Sequence, residues 1–262
     1  MIHYEVGDAR DPGARVAVFI HGFMGSGRDF RGLCEELSAR RRCVRVDLPG
    51  HGRSAQTVGG ASASIAFMAG EVLGVLDHLE VEAADVVGYS MGGRVGMWLA
   101  MHHPERVRTL VLESASPGIE GEEERAERAR LDAARAREMR EVGLERFLER
   151  WYGLELFDSL RAHPGFEAMV KERARGDVHA LARVIAEASP GLQESLWPRL
   201  CELSMPTLWM AGRLDARYAA MAQRAARLSG EAFHIVEGAG HNAHLEAPSA
   251  VAEAIAAFWE GV

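Results

Sequence analysis

The chain has 262 residues, of which 48% are hydrophobic and 26% are charged, a composition typical of a globular protein with a large core. Its net charge of −8 argues against nucleic acid or an anionic membrane as the main partner. The three cysteines, Cys34, Cys43 and Cys201, are widely spaced, which argues against a disulfide framework and a zinc site. No stretch is apolar for long enough to span a membrane, so we expect a cytoplasmic protein. We also expect a monomer or a small homo-oligomer.

Short apolar runs that end in glycine or polar residues predict six β-strands. These are Val16–Ile20, Cys43–Val46, Asp85–Val87, Val107–Leu112, Thr207–Met210 and Phe233–Val236. Helical periodicity predicts helices over Ile65–Leu79, Met91–Met101 and Ser249–Trp259. Because strands and helices alternate with short connections, we expect a doubly wound, mostly parallel α/β sheet with helices on both faces.

One long segment, residues 118–200, breaks this alternation because it contains no good strand candidate. Most of its many charges are expected on a solvated helical surface. We predict an α/β core formed by residues 1–117 and 201–262, with residues 118–200 inserted after the sixth strand. This helical insertion would form a lid over the carboxyl ends of the strands, where open α/β sheets bind ligands.

A G-x-S-x-G motif centred on Ser90 lies between a predicted strand and a predicted helix. Glycines two positions to either side of Ser90 let the chain turn sharply and leave the serine exposed at the start of the helix. This context is typical of a catalytic nucleophile. The alternative is an ordinary N-cap serine in a glycine-rich turn.

A second turn, His21-Gly22-Phe23-Met24, directly follows the first predicted strand. It can direct a backbone N–H group, that of Phe23, toward the same point as the N–H group of Met91. Two such donors form an oxyanion hole, which stabilises negative charge that develops during a reaction. The alternative is a tight loop with no catalytic role.

An acid and a histidine follow in the chain order that such a serine requires. Asp215 and His241 each lie in the loop after a predicted strand, so His241 can take the Ser90 proton while Asp215 fixes its tautomer. Glu113, just after an earlier strand, is the alternative acid. His241 and His244 are three residues apart, but no third ligand is nearby, so we expect no metal ion.

Together these motifs resemble the α/β-hydrolase family along the whole chain. More specifically, the elbow with Arg94 after its double glycine, the segment Leu112–Gly118 and the pair Trp151-Tyr152 are similar to 2-succinyl-6-hydroxy-2,4-cyclohexadiene-1-carboxylate synthases of menaquinone (vitamin K2) biosynthesis. The resemblance implies a lyase that eliminates pyruvate from 2-succinyl-5-enolpyruvyl-6-hydroxy-3-cyclohexene-1-carboxylate. It also implies that no cofactor is needed.

The resemblance further implies a binding site for a small polycarboxylate beside the triad of Ser90, Asp215 and His241. The residues that it assigns to substrate binding are Tyr89, Arg94, Arg128, Trp151 and Arg173. Arg128 could instead correspond to Arg125 or Arg130, and Arg173 to Arg175, because the sequence around Arg173 departs from the asparagine-containing pattern of the family.

The implied chemistry fits these residue types. The precursor carries three carboxylates, and arginine binds a carboxylate with two parallel, charge-assisted hydrogen bonds. Ser90, activated by His241, would act as a base that removes a proton next to a carbonyl. The same triad can also catalyse hydrolysis, so the alternative is a serine hydrolase of an ester, thioester or carbon–carbon bond, in which the arginines are incidental.

Overall fold

A computed structural model describes residues 1–7, 13–58 and 62–262. The strands of the described residues are β1 (Tyr4–Val6), β2 (Val16–Ile20), β3 (Arg42–Val46), β4 (Ala84–Tyr89), β5 (Val107–Glu113), β6 (Thr207–Gly212) and β7 (Ala232–Val236). The α-helices are α1 (Arg31–Leu37), α2 (Ile65–His78), α3 (Met91–His102), α4 (Glu122–Val142), α5 (Leu144–Tyr152), α6 (Asp158–Arg161), α7 (Phe166–Arg173), α8 (Val178–Glu187), α9 (Ala216–Ser229), α10 (Ala243–Glu246) and α11 (Pro248–Glu260).

The strands form one sheet in the order β1-β3-β2-β4-β5-β6-β7. All neighbouring strands are parallel except β1, which pairs with β3 in the antiparallel direction. The predicted doubly wound, mostly parallel α/β sheet is therefore confirmed, and the six predicted strands are all present. Strand β1 was not predicted, because three residues at a sheet edge are too few to show a periodic pattern.

The helical segment follows β5, the fifth strand of the described residues. Because residues 8–12 and 59–61 lie outside the described part of the chain, its position after the sixth strand remains a prediction. Helices α4 to α8 lie between β5 and β6, and residues 118–200 contain no strand.

Two apolar clusters cover the two faces of the sheet. Successive residues of one strand point to opposite faces, so Val86 belongs to one cluster and Val87 to the other. Every residue of β2 and β4 is buried, as expected for central parallel strands with helices on both faces. This rigid centre of the sheet carries the two loops that face the candidate site.

A third apolar cluster lies within the helical segment and includes Met139, Phe147, Leu148 and Tyr152. Met24, from the loop after β2, belongs to the same cluster. The helical segment is thus packed on a loop of the sheet. The division into core and lid domains remains a prediction.

The strand order changes direction at β2, because the chain continues to β3 on one side and then returns to β4 on the other. In open α/β sheets, ligands bind where the strand order reverses, outside the carboxyl ends of the strands. Here the loops at that point begin with His21, after β2, and with Ser90, after β4.

Candidate active site

Ser90 lies in a sharp turn between β4 and α3. Its φ of 51° and ψ of −109° place a non-glycine residue in a region that favours glycine, a strain typical of functional turns. The Ser90 N–H donates a 2.8 Å hydrogen bond to the Glu113 carbonyl oxygen, which ties the turn to the end of β5. The structure therefore holds the serine in a fixed and strained conformation.

The glycines of the motif are required by close packing of the backbone. A Cβ atom on Gly92 would overlap the carbonyl oxygen of Ile20, at the end of β2. A Cβ atom on Gly88 would overlap the carbonyl oxygen of Gly92 itself. The serine turn can approach the loop after β2 only because these side chains are absent.

His241 lies between Ser90 and Asp215, as the sequence predicts. Its Nδ1 atom is 2.7 Å from Asp215 Oδ2, and its Nε2 atom is 3.3 Å from Ser90 Oγ. An Nδ1–H that donates to Asp215 leaves Nε2 free to accept the serine proton. Both the histidine and the aspartate are buried, which strengthens their interaction by excluding water.

Glu246 holds the loop that carries His241, a role that the sequence analysis missed. Its two carboxylate oxygens accept hydrogen bonds from the N–H groups of Gly240, at 2.9 Å, and Asn242, at 3.2 Å. These residues flank His241 directly in the chain. An acid five residues after the histidine was visible in the sequence, but nothing in its spacing indicated that it folds back onto the loop.

Glu113, the alternative acid, faces a different histidine. Its Oε1 atom is 2.8 Å from His244 Nδ1 and also accepts the His244 N–H at 3.0 Å. The structure thus pairs Asp215, and not Glu113, with His241.

Two buried histidines, His21 and His51, link the loop after β2 to the loop after β3. The Leu48 N–H donates to His21 Nε2 at 2.9 Å, and the Met24 N–H donates to His51 Nε2 at 3.3 Å. Burial lowers the pKa of both histidines, that of His51 strongly, so each is held neutral and can accept these bonds. They fix the turn that carries Phe23, the predicted oxyanion-hole residue.

A cavity of about 790 Å³, including its mouth, opens over Ser90. Its lining includes nine of the ten residues that the sequence predicts at the site, and the tenth, Asp215, contacts His241 from outside the lining. The residues that line its walls include Phe23, Tyr89, Ser90, Met91, Arg94, Arg128, Asp132, Trp151, Phe157, Arg173, Ser189, Tyr218 and His241. The helical segment supplies part of this wall, including Trp151, whose ring meets that of Phe23 at 5.3 Å.

Arg94 is buried one helical turn after Ser90, on the wall of the cavity. One terminal nitrogen donates to the Ala188 carbonyl oxygen, while the other, Nη1, is buried and has no hydrogen-bond partner among the described residues. Burial, together with the charge of Arg128, lowers the pKa of Arg94 to about 10. The guanidinium is still charged at neutral pH and is poised to bind an anion.

Arg128 also reaches the cavity, and a buried aspartate orients it. Its Nε atom donates to Asp132 Oδ2 at 2.7 Å, while Asp132 also accepts from Arg135 and from the Ser189 hydroxyl. Arg135 in turn lies over the ring of Trp151, 5.4 Å from its centre. Asp132 was missed because a single aspartate in an Arg- and Glu-rich helix gives no sign that it is buried.

Arg173 is buried between Tyr152 and Asp29. It donates to the Tyr152 hydroxyl and forms a 3.0 Å ion pair with Asp29. Its Nε atom is buried, and no described residue accepts a hydrogen bond from it. Arg173 therefore reaches the cavity already held by a carboxylate and a phenol.

The alternative arginines do not line the cavity. Arg125 donates to the carbonyl oxygens of Ile119 and Glu120. Arg130 and Arg175 are exposed and lie beside surface glutamates. Of the two sets considered from the sequence, the structure brings Arg128 and Arg173 to the site.

Three aromatic rings surround His241. They belong to Tyr89, Phe157 and Tyr218, with ring centres 5.4, 6.0 and 4.6 Å from the imidazole. Tyr89 was predicted at the site, but Tyr218 was not, because one tyrosine in an amphipathic helix is usually a packing residue.

In the part of the chain that the structure describes, no helix is long and apolar enough to cross a membrane.

Comparison with known proteins agrees with this geometry. A family model for the alpha/beta hydrolase fold matches residues 16–248, so the chain belongs to the α/β-hydrolase fold family. A putative 2-succinyl-6-hydroxy-2,4-cyclohexadiene-1-carboxylate synthase of Bacillus subtilis is 32% identical over 98% of this chain and 94% of its own length. The synthase of that name from Salmonella enteritidis is 33% identical over 94% of each chain.

A solved structure described as MenH from S. aureus superposes with a TM-score of 0.94 and 30% identity, covering 100% of this chain and 99% of the other. The protein PHYLLO of Arabidopsis thaliana is 32% identical over 93% of this chain, which spans only 15% of that much longer protein. The resemblance to α/β-hydrolases, and within them to these synthases, is therefore confirmed.

Proposed function

We propose that the protein is a 2-succinyl-6-hydroxy-2,4-cyclohexadiene-1-carboxylate synthase, a lyase that eliminates pyruvate from 2-succinyl-5-enolpyruvyl-6-hydroxy-3-cyclohexene-1-carboxylate. The observation that carries the proposal is the set of three arginines, Arg94, Arg128 and Arg173, on the wall of the cavity that contains Ser90. The precursor has three carboxylates, and a partly dry cavity strengthens each arginine–carboxylate pair. The relatives named as this synthase support the same assignment.

In the proposed reaction, Ser90 acts as the base and His241 carries the proton. As the Ser90 oxygen removes a proton from the carbon activated by the succinyl carbonyl, the Ser90 hydroxyl proton passes to His241 Nε2, 3.3 Å away. The imidazolium is stabilised by Asp215, and the backbone N–H groups of Phe23 and Met91 stabilise the enolate oxygen.

The enolate electrons then form a double bond between the deprotonated carbon and the next ring carbon. The existing ring double bond shifts by one position toward the carbon that carries the enolpyruvyl group, and the bond between that carbon and the enolpyruvyl oxygen breaks. The leaving group is the enolate of pyruvate, which takes one proton and becomes pyruvate. The proton removed from the ring stays on Ser90 as its hydroxyl, and the imidazolium supplies the proton that the leaving group needs. No oxidant, reductant or further reactant enters this balance.

We also infer that residues 118–200 act as a lid over an α/β core of residues 1–117 and 201–262. The support is that this segment contributes Arg128, Trp151 and Arg173 to the wall of the cavity that contains Ser90. A lid that closes over the substrate excludes water and keeps the enolate from being protonated before pyruvate leaves.

The decisive experiment incubates the purified protein with the precursor and follows pyruvate release with a coupled lactate dehydrogenase assay. We expect pyruvate release by the wild type and a loss of at least about a hundredfold in the folded Ser90→Ala variant. The alternative, a serine hydrolase, uses the same triad geometry and predicts rapid turnover of a neutral ester such as p-nitrophenyl acetate. Rapid ester hydrolysis without pyruvate release would replace the lyase assignment by the hydrolase.

A further inference from the structure

Tyr218 occupies a fixed position between the triad and the arginines of the cavity. It lies in the first turn of α9, and its N–H donates a 3.1 Å hydrogen bond to Asp215 Oδ1, the oxygen that does not bind His241. Its ring meets the His241 imidazole edge to face, with 4.6 Å between the ring centres and an angle of 62°. Asp215 therefore holds the backbone of Tyr218, and His241 contacts its ring.

Tyr218 shares the wall of the cavity with two of its arginines. The side chain lines the cavity together with Ser90, Arg94 and Arg128. Burial and the charge of Asp215 raise the pKa of the Tyr218 hydroxyl, although the nearby charges of Arg128, Arg217 and Arg94 oppose this effect. The hydroxyl is therefore protonated at neutral pH and can donate a hydrogen bond.

Packing around His241 does not explain why residue 218 carries a hydroxyl. Phe157 contacts the same imidazole at 6.0 Å with a ring that has no polar atom. A phenylalanine at position 218 would keep the edge-to-face contact and would not bring a polar group into a partly dry wall. Among the described residues, the Tyr218 side chain forms no hydrogen bond that would use its hydroxyl.

We propose that Tyr218 is a substrate-binding residue whose hydroxyl donates a hydrogen bond to the substrate carboxylate that Arg94 and Arg128 bind. The proposal rests on the proposed function, because it takes the ligand of those arginines to be a carboxylate. A neutral donor suits this position, since it adds a directed hydrogen bond without adding a third positive charge to two close guanidinium groups. Contact with His241 then links the carboxylate position to the orientation of the catalytic imidazole.

The test compares Tyr218→Phe, which removes only the hydroxyl, with Tyr218→Leu, which also removes the ring. Tyr4→Phe is the matched control, since Tyr4 lies on the edge strand β1, outside the cavity. Two quantities are measured for each variant: kcat and KM for pyruvate release from the precursor, and the Kd of propane-1,2,3-tricarboxylate by calorimetry.

We expect Tyr218→Phe to weaken tricarboxylate binding and to raise KM about tenfold, with turnover of a neutral ester unchanged. Tyr218→Leu should in addition lower kcat on both substrates, because the imidazole loses the ring that orients it. Tyr4→Phe should match the wild type. Equal Kd and KM values for the wild type and Tyr218→Phe would overturn the proposal, whatever happens to the leucine variant.

The binding measurement separates this proposal from the proposed function. If the wild type releases no pyruvate but binds the tricarboxylate through the Tyr218 hydroxyl, the lyase assignment fails while the role of Tyr218 stands. If the wild type releases pyruvate and Tyr218→Phe has the same Kd and KM as the wild type, the lyase assignment stands and the role of Tyr218 fails. A wild type that binds neither the precursor nor the tricarboxylate contradicts both.

Discussion

Glu113 and His244 form a buried carboxylate–histidine pair, with 2.8 Å between Oε1 and Nδ1. The pair closely resembles that of Asp215 and His241, in which the corresponding distance is 2.7 Å. The difference lies in what each imidazole faces on its other side. His241 Nε2 is 3.3 Å from the Ser90 hydroxyl, whereas His244 Nε2 is buried with no hydrogen-bond partner in the part of the chain that the structure describes.

The two acids should therefore differ sharply in their effect on catalysis. We expect Asp215→Asn to lower kcat at least about a hundredfold, because an asparagine can stabilise the wrong His241 tautomer and cannot stabilise the imidazolium. Glu113→Gln should leave kcat within about threefold and instead lower stability by about 1–3 kcal/mol, since it weakens a buried hydrogen-bonded pair. Steady-state kinetics and urea unfolding of both variants provide the measurement. A larger loss of kcat in Glu113→Gln than in Asp215→Asn would mean that Glu113, at the end of β5, is the acid of the triad.

Arg94 should distinguish a carboxylate substrate from a neutral one. Removing its guanidinium takes away one charged partner in a partly dry site, at a cost of about 2–4 kcal/mol. Arg94→Ala should then lower kcat/KM for pyruvate release by about thirty- to a thousandfold, with a much smaller effect on a neutral ester. Arg130→Ala, an exposed arginine of α4, is the control and should behave as the wild type. Equal losses on both substrates would mean that Arg94 only supports the serine turn.

Asp132 should act through Arg128. Because its carboxylate fixes the Nε atom of Arg128, we expect Asp132→Asn to raise KM for the precursor about three- to tenfold without changing ester turnover. The effects of Asp132→Asn and Arg128→Ala should not add in the double variant, which a double-mutant cycle measures. Asp158→Asn, an exposed acid of α6, is the control. A lower KM in Asp132→Asn would show that Asp132 opposes the substrate charge and does not position Arg128.

The buried histidines His21 and His51 should make folding stability depend on pH. Their pKa values are lowered in the folded protein, so below about pH 6.5 the unfolded chain binds protons that the folded chain cannot. Stability is therefore complete above about pH 6.5 and falls as the pH decreases, by up to about 1.4 kcal/mol per pH unit for each histidine.

Thermal unfolding between pH 7.5 and pH 5 measures this dependence. We expect the Tm of the wild type to fall with decreasing pH and the slope to be shallower in His51→Asn, even if that variant has a lower Tm at pH 7.5. His179→Asn is the control, because His179 is exposed on α8, and its slope should equal that of the wild type. An unchanged slope in His51→Asn would show that His51 is not held neutral by burial.

The sequence by itself determined the parts of this protein that depend on local pattern. Buried parallel strands are apolar on both faces, so the runs that became β2 to β7 were recognisable one at a time. Ser90, Asp215 and His241 each follow such a strand, and the carboxyl ends of parallel strands meet at one edge of the sheet. Their convergence could therefore be predicted without coordinates, whereas the three-residue strand β1 had no pattern to reveal it.

Only the tertiary structure decided contacts between segments that are distant in the chain. Whether Asp215 or Glu113 faces His241 depends on where the loop after β7 folds back, and Glu246 closes that loop. Helical periodicity could not tell Arg128 from Arg125 or Arg130, since all three lie in one charged helix and only its packing decides which of them reaches the cavity. Tyr218 was missed for the same reason, because a side chain that acts across an interface between elements leaves no trace in the spacing of its own segment.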